Sequence, residues 1–313
     1  MKLFLTQHQS PGDILMLTSA VRDLKKSHPE ISVNVSTSAM ELWNNNPYLD
    51  RQVTASNCDV SMKAEYPLIH TSNAGQHHFI HGFRKFLEDK LKIRIEPGNF
   101  CVDIHMSNEE KNDVAWIKES TGKDRGYWLI NAGHKLDFTN KYWEHARFQQ
   151  VVDATKDKIT WVQIGAKEHI HVPLQGVVDM RGKTTHRQLI KLMYRAYGVL
   201  TPVSYPMVLA TMPTFGFIDR KRPCVVIAGG REPAVWQAFS THQFLHTCGM
   251  LKCCEKGGCW RSRVVPLNDG DSKDNSLCLN PVVTPSGQTI PLCMSMITVD
   301  MVVGAINNYL NFH

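Results

Sequence analysis

No stretch of this sequence approaches the ~18 uninterrupted apolar residues that a membrane-spanning helix requires. Internal repeats and low-complexity tracts are also missing, which excludes a repeat array or a disordered linker as the organising principle. There is no GxxxxGK[ST] phosphate loop. The amino terminus, Met1-Lys2-Leu3-Phe4-Leu5-Thr6, turns polar too early for a secretory leader, so the expected compartment is the cytoplasm. Charged residues are 20% against 42% hydrophobic, the balance of a soluble globular chain. Its 313 residues allow one large domain or two ordinary ones.

Acids are scarce in one long stretch. From Arg181 to Arg231 the cations are Arg181, Lys183, Arg187, Lys191, Arg195, Arg220, Lys221, Arg222 and Arg231, and the only acid is Asp219. The stretch carries +8 in a chain of formal charge +6, so the remainder sums to −2. A localised basic surface suits a polyanion such as a nucleotide diphosphate, a lipid phosphate or nucleic acid. The plain alternative is a solvated helix face.

The nine cysteines are just as uneven. Cys58, Cys101 and Cys224 are scattered, whereas Cys248, Cys253, Cys254, Cys259, Cys278 and Cys293 share one segment. A cytoplasmic chain rarely holds disulfides, so such a cluster points to metal. Cys253-Cys254-Glu255-Lys256-Gly257-Gly258-Cys259 resembles a metal knuckle, and Cys278 and Cys293 can complete four thiolates for Zn²⁺ or a single Fe ion. The expected ligands are Cys254, Cys259, Cys278 and Cys293. Cys254 is taken for its shorter bite to Cys259, with Cys248 and Cys253 left open. The histidine groups, His77, His78 and His81, then His169 and His171, have no Cys or acidic partner at ligand spacing and read as surface or packing residues.

Strand and helix patterns alternate along the chain. Lys2 to Gln7 reads as a strand, then a Ser10-Pro11-Gly12-Asp13 turn, a helix through Ile14, Leu17, Val21 and Leu24, and a strand at Ile31–Val35. Met40 to Asn44 suits a short helix. Pro67–His70 suits a strand, and Phe79–Lys92 and Glu109–Glu119 suit helices. Thr121-Gly122-Lys123-Asp124 reads as a linker. Strands follow at Trp128–Ile130, Ile159–Ile164, Val177–Met180 and Cys224–Ala228, with helices at Tyr142–Thr155, Thr185–Tyr197, from Ser204, and at Thr298–Tyr309. The expected class is therefore α/β, with two units facing a cleft. The expected divisions are 1–124, 125–247, a Cys-rich finger at 248–296 and a terminal helix at 297–313.

Candidate chemistry sits at strand ends. Asp13, expected at the N-cap of the first helix, is a carboxylate at the sheet edge where α/β active sites lie, and it could take a proton from an attacking hydroxyl. Three loops with Gly and cations enter the second half: Asn131-Ala132-Gly133-His134-Lys135 with Lys141, then Arg181-Gly182-Lys183-Thr184, then Gly229-Gly230-Arg231. Together they suit one phosphate-bearing ligand.

The ordered series resembles glycosyltransferase family 9, the ADP-heptose heptosyltransferases. It comprises Ser10-Pro11-Gly12-Asp13-Ile14-Leu15, Thr18, Arg22-Asp23-Leu24-Lys25, His28-Pro29, Leu42-Trp43-Asn44-Asn45-Asn46-Pro47-Tyr48, Lys141-Tyr142-Trp143, Val162-Gln163-Ile164-Gly165, Arg181-Gly182-Lys183-Thr184 and Ala228-Gly229-Gly230. The Gly257-Gly258-Cys259-Trp260-Arg261-Ser262-Arg263 stretch resembles the subgroup with a metal finger, as in protein-directed heptosyltransferases acting on bacterial autotransporters, whose finger binds iron.

This resemblance implies a GT-B fold, two Rossmann-like domains facing a central cleft. The acceptor would lie in the first half and a nucleotide-sugar donor, ADP-linked, in the second. It implies Asp13 as general base, Lys141 neutralising the diphosphate leaving group, and inversion at the anomeric carbon with no metal at the sugar. Donor contacts would come from Gly133, Lys135, Lys141, Gln163, Gly182, Lys183, Thr184, Ser204, Gly229, Gly230 and Arg231. The acceptor would be a hydroxyl on lipopolysaccharide or protein, and a homo-oligomer is compatible with the finger. The sequence departs from the family at Val203, Tyr205 and Val208, where an acidic residue or Asn, a Gly and a His are usual; Ser204 is kept. The departure bears on the donor more than on the fold. Two alternatives stand beside this reading. One is a nucleic-acid-binding or nucleic-acid-modifying protein, disfavoured because aromatics are not interleaved with the cations. The other is a family relative that binds a nucleotide sugar without turnover.

Overall fold

The computed structural model describes residues 1–215 and 222–311. In the first unit, β1 (Lys2–Gln7) leads into α1 (Pro11–Ser27), then β2 (Ser32–Thr37), β3 (Val60–Lys63) and α2 (Gly82–Leu91). A connecting region holds α3 (Asn108–Asn112) and α4 (Val114–Thr121). The second unit runs β4 (Tyr127–Ile130), β5 (Gly133–His134), α5 (His145–Thr155), β6 (Thr160–Gln163), β7 (Ile170–His171) and β8 (Val178–Asp179). It continues with α6 (His186–Arg195), β9 (Gly198–Pro202), α7 (Tyr205–Leu209), β10 (Cys224–Gly229), α8 (Ala234–Gln237) and β11 (His242–His246). The cysteine segment adds β12 (Pro281–Val283), β13 (Thr289–Pro291) and α9 (Leu292–Ser295), before the closing α10 (Val299–Asn311).

Two parallel sheets result. The first has order β2-β1-β3 and the second β11-β10-β9-β4-β6-β8. In the second sheet β4, β9 and β10 are buried at every residue, as central parallel strands covered on both faces must be. Alternation decides which side each residue feeds. Trp128, Ile130, Leu200, Val225 and Ile227 meet α5, α9 and α10, whereas Leu129, Val162, Val199 and Val226 face α6 and α7. The latter core is continuous with that of the first unit, through α1, whose residues Ile14 to Leu24 are all buried. Among the described residues, no helix is long and apolar enough to cross a membrane.

The middle of the first unit differs from the sequence reading. Pro67–His70 forms no strand; a 3-10 turn covers Ile69–Thr71, and the third strand is Val60–Lys63, paired to Leu3–Thr6. Proline brings no N–H to a ladder. The single helix expected at 109–119 breaks at Asp113, whose side chain accepts from Trp116 N (3.4 Å) and caps α4.

The largest correction concerns the basic stretch, which is not an open surface. Arg187 grips Glu110 of α3 (2.7 and 2.5 Å) and the His105 carbonyl (2.8 Å). Lys191 pairs with Asp113 (2.6 Å) and lies over the Trp116 ring. Arg195 donates to the Lys111 and Asp124 carbonyls, and Arg222, 2% exposed, to those of Ala196, Ala210, Met212 and Pro213. Arg181 is bidentate to Asp179, and Lys183 donates to the Asp179 carbonyl. Arg231 pairs with Glu232. Arg220 and Lys221, with Asp219, lie outside the described residues. Periodicity could not show the α6 contacts, because the partners of Arg187, Lys191 and Arg195 sit about 80 positions upstream.

A second tie joins the units through the cysteine segment. Asn73 donates to the Gly258 carbonyl (2.9 Å) and accepts from Gly258 N (3.0 Å) and Trp260 Nε1 (2.9 Å). A Cβ on Gly257, held at φ +138°, would lie 2.5 Å from Asn73 Oδ1, so that approach requires glycine. Trp236 Nε1 donates to the Ser72 carbonyl (2.6 Å).

Burial would raise the Glu110 carboxyl, but the Arg187 hydrogen bond, the Ser107 N–H and the charges of Arg187 and Lys191 together outweigh it and hold it below the ordinary glutamate range. Its contribution to stability is therefore complete above that range and is lost as pH falls through the folded-state value. Glu110→Ala leaves Arg187 half-buried with carbonyl partners but no carboxylate. Urea denaturation at neutral pH should show a loss of roughly 2 kcal/mol, less than for a fully enclosed pair because solvent screens it. A loss within experimental error would show that this pair does not join the units.

Candidate active site at the inter-unit cleft

Ser10 is the N-cap of α1 and Pro11 opens its first turn, which places Asp13 at N3 and not at the N-cap expected from the sequence. The difference matters chemically. Asp13 Oδ2 accepts from Ser10 N (3.1 Å) and Ser10 Oγ (2.7 Å), so the carboxylate is oriented by the helix start. Tyr66 stacks on Phe83 with centroids 4.1 Å apart. Its phenol is pushed well up by burial and by a hydrogen bond to Asp13. Gly82 is the residue that admits this ring, since a Cβ there would lie 2.5 Å from Tyr66 Cδ1.

Lys141 comes from the other unit, on the 3-10 turn Thr139–Lys141. Its ammonium lies 2.7 Å from Glu232 Oε1. Burial and the Arg231 guanidinium push the Lys141 amine down, and the Asp13 carboxylate pulls it back up. The carboxylate of the first unit thus lies near enough to the ammonium of the second to favour its charged form. Gly12 sits against Tyr205, 3.7 Å from its Cα to a Cβ built on the glycine, so the start of α1 also meets the start of α7. There Ser204 is fully engaged, with Asn131 Nδ2 (3.1 Å), Thr201 Oγ1 (2.8 Å) and the Pro202 carbonyl (3.0 Å). Val203 and Val208 are buried, which explains why apolar residues occupy those positions. Tyr205 Oη is buried without a hydrogen-bond partner.

The other expected donor residues fall into two groups. Gly133, Gly182, Lys183, Thr184 and Lys135 line the ends of β4 to β8; Lys135 is exposed and Thr184 half-buried. Gly182, at φ +65°, donates its N–H to the Gly165 carbonyl (2.8 Å). The space over Gly133 and Gly165 is filled by the His171 ring, since a Cβ on either would lie within 2.5 Å of it. Both His171 nitrogens are buried without partners, and burial, with His169, His134 and Arg181 nearby, lowers its pKa to about 4. Gln163, wholly buried, donates to the Val172 carbonyl (2.8 Å) and accepts from Leu174 N (2.9 Å); it fixes this turn from below.

Gly229, Gly230 and Arg231 have other neighbours. A Cβ on Gly229 would meet Met294 Sδ at 2.5 Å, and one on Gly230 would meet Cys254 Sγ at 2.9 Å. These glycines make room for the cysteine segment. Arg231 lies between the Phe138 and Trp260 rings, donates to the Arg261 carbonyl (2.7 Å) and is pushed down to about 10 by burial.

Cys253, Cys259, Cys278 and Cys293 line one cavity of about 10 Å³ together with Asn140 and Gly230, room for a single water-sized particle. Cys254 is not among the lining residues; its thiol lies 3.5 Å from the Thr247 carbonyl, close to Gly230 and to Cys253. Burial and neighbouring thiols push Cys253 and Cys278 up, and Cys293 up to about 12. Thiolates as a class suit Zn²⁺ or Fe, but among the described residues no three His, Cys, Asp or Glu side chains stand at ligating geometry. The polar loop between Cys259 and Cys278 is organised by Arg263, which is wholly buried and paired with Asp269 (2.8 Å) and Asp274 (2.5 Å). A separate cavity of about 390 Å³, lined by Arg22, Lys26, Asp103, His105, Lys111 and Tyr194 among others, contains none of the expected site residues.

Sequence reasoning missed Tyr66, His171 and Glu232 as site residues, and left Cys253 open beside Cys254. Only Glu232 left a usable signal, as the lone acid between Asp219 and Glu255.

No protein-family model matches the chain, and no curated protein matches it in sequence. Solved structures do match in shape. A glycosyl transferase family 9 protein from Veillonella parvula DSM 2008 matches with a TM-score of 0.68 at 14% identity, over 100% of this chain and 97% of that one. The E. coli ADP-heptose lps heptosyltransferase II matches at 0.61 and 13%, over 98% of each. The iron-containing dodecameric glycosyltransferase TibC from enterotoxigenic E. coli H10407 matches at 0.61 and 16%, over 98% of this chain and 75% of that one. At such identities the likeness is one of fold: the parallel α/β architecture of this chain is that of the GT-B heptosyltransferases.

Proposed function

We propose that this chain is an inverting glycosyltransferase that moves a heptose-like sugar from a nucleotide-diphosphate donor, ADP-linked, to a hydroxyl acceptor on a glycan or protein. The observation that supports the reading is that the start of α1, which carries the Asp13 carboxylate oriented by Ser10, meets the second unit at Tyr205, with the Lys141 ammonium of that unit near enough for the carboxylate to favour its charged form. Asp13, oriented by Ser10 and Tyr66, takes the proton of the acceptor hydroxyl as its oxygen attacks the anomeric carbon. The bond to the diphosphate breaks on the opposite face, so the configuration inverts. The charge that builds on the departing diphosphate is met by Lys141. Gly182 and the loops that follow β5 and β8 hold the nucleotide, with Gln163 and Ser204 supporting them from behind.

The test is nucleotide release over a panel of ADP-, UDP-, GDP- and CMP-sugars, with and without acceptors. Asp13→Asn should lower release about 10²- to 10⁴-fold, the usual weight of general-base catalysis, with circular dichroism unchanged. Equal release by wild type and variant would refute the assignment. Donor binding without turnover in the wild type would mark a non-catalytic relative. A nucleic-acid partner loses its motivation, since every described cation of the 181–231 stretch already has a protein partner.

A structural metal fits the thiols that share the small cavity, so the reading assigns Cys253, Cys259, Cys278 and Cys293 to one Fe or Zn ion, away from the sugar. The ion would fix the fold of the cysteine segment. Elemental analysis should find about one ion per chain. Cys259→Ser should lose it and lower the melting temperature, whereas Cys254→Ser should retain it; retention by Cys259→Ser would remove the site.

A further inference from the structure

Glu232 has no part in the reaction described so far, yet it is the most enclosed charge at the cleft. Its side chain is 3% exposed. One oxygen takes the Lys141 ammonium at 2.7 Å and is shared with the Arg231 guanidinium. The other takes Gln237 Nε2 at 2.5 Å. Arg231 is itself fixed by the Arg261 carbonyl and by the Phe138 and Trp260 rings. The carboxylate is therefore the anchored member of the pair and the lysine the held one.

We propose that Glu232 is the positioning residue for Lys141, the internal counter-ion that keeps its ammonium in the cleft opposite Asp13. This rests on the reading of Lys141 as the group that meets the departing diphosphate. An ammonium has three donors; one goes to Glu232, and two remain for phosphate oxygens.

The charged groups facing Lys141 define what Glu232 does. Arg231 and Lys135 are like charges, and with burial they favour the neutral amine. Asp13, on α1, opposes them. Glu232 is the one carboxylate in direct contact. Without its charge, Asp13 alone opposes two cations and desolvation. Arg231, though pushed down to about 10 by burial, stays charged near neutral pH, so Lys141, pushed well below its ordinary value, is the group that would release its proton there. A neutral amine cannot neutralise a leaving diphosphate.

The experiment is acetic-anhydride labelling of Lys141 against pH, read by peptide mass spectrometry on the full chain. In Glu232→Gln the midpoint of labelling should fall by at least one pH unit, a tenfold gain in reactivity at a fixed pH below both midpoints. Glu232→Asp, which keeps the charge, should restore the wild-type midpoint. An unmoved midpoint in Glu232→Gln overturns the proposal. If that variant does not fold, Glu232→Gln/Lys141→Met decides: recovery of folding supports the pair, because the unpaired ammonium was the fault, and continued failure overturns it. Where turnover is measured, the alkaline limb of kcat should move to lower pH with the labelling midpoint; a uniform loss at all pH values would show a merely structural role. Labelling needs no donor, so it stands even if no sugar is transferred, and the two readings fail separately.

Discussion

The structure depends on how the cations of α6 and its flanks are satisfied. Arg187 and Lys191 reach acids of α3 and its boundary with α4, and Arg195 reaches carbonyls around them. These contacts fix the second unit against the region that follows the first. Asp13 and Lys141 belong to different units, so their nearness is only as well defined as this seam. A charge excess that reads as an exposed anion-binding face is instead mostly internal structure. The α6 cations are partly shielded from solvent, where an ion pair keeps more of its strength than on an open surface.

The cysteine segment serves a related end. It supplies thiols to one cavity, but it also presents Gly258 and Trp260 to Asn73 of the first unit. Its polar loop folds around Arg263 and two aspartates. A buried guanidinium with two bidentate-capable acids can order a loop that has too few apolar residues for a core of its own. Ion pairs therefore help to order a segment that hydrophobic burial alone would leave loose.

Much of the fold was legible because central parallel strands are nearly continuous apolar runs. Trp128–Ile130 and Cys224–Ala228 stand out for that reason. Asp13 was legible because the Ser-Pro-Gly-Asp turn marks a helix start, although its place within the first turn was not. The strand at Val60–Lys63 was hidden by its shortness and by alternation with polar residues. The partners of Arg187 and Lys191 were hidden because long-range pairing leaves no periodicity. Cys253 and Cys254 could not be told apart, since spacing does not encode which of two adjacent residues lines a cavity. Glu232 was passed over because a single acid beside an arginine reads as a local surface pair.

The Asn73 contact has a mechanical consequence. The α6 seam and the Asn73 clasp join the two halves at separate places in the fold, one through α3 and the other through the cysteine segment. A third tie lies between them, the core that runs through α1 into the second unit. Bodies held at three separate places have no free hinge, so the spacing of the walls that a substrate would meet is set by the resting fold.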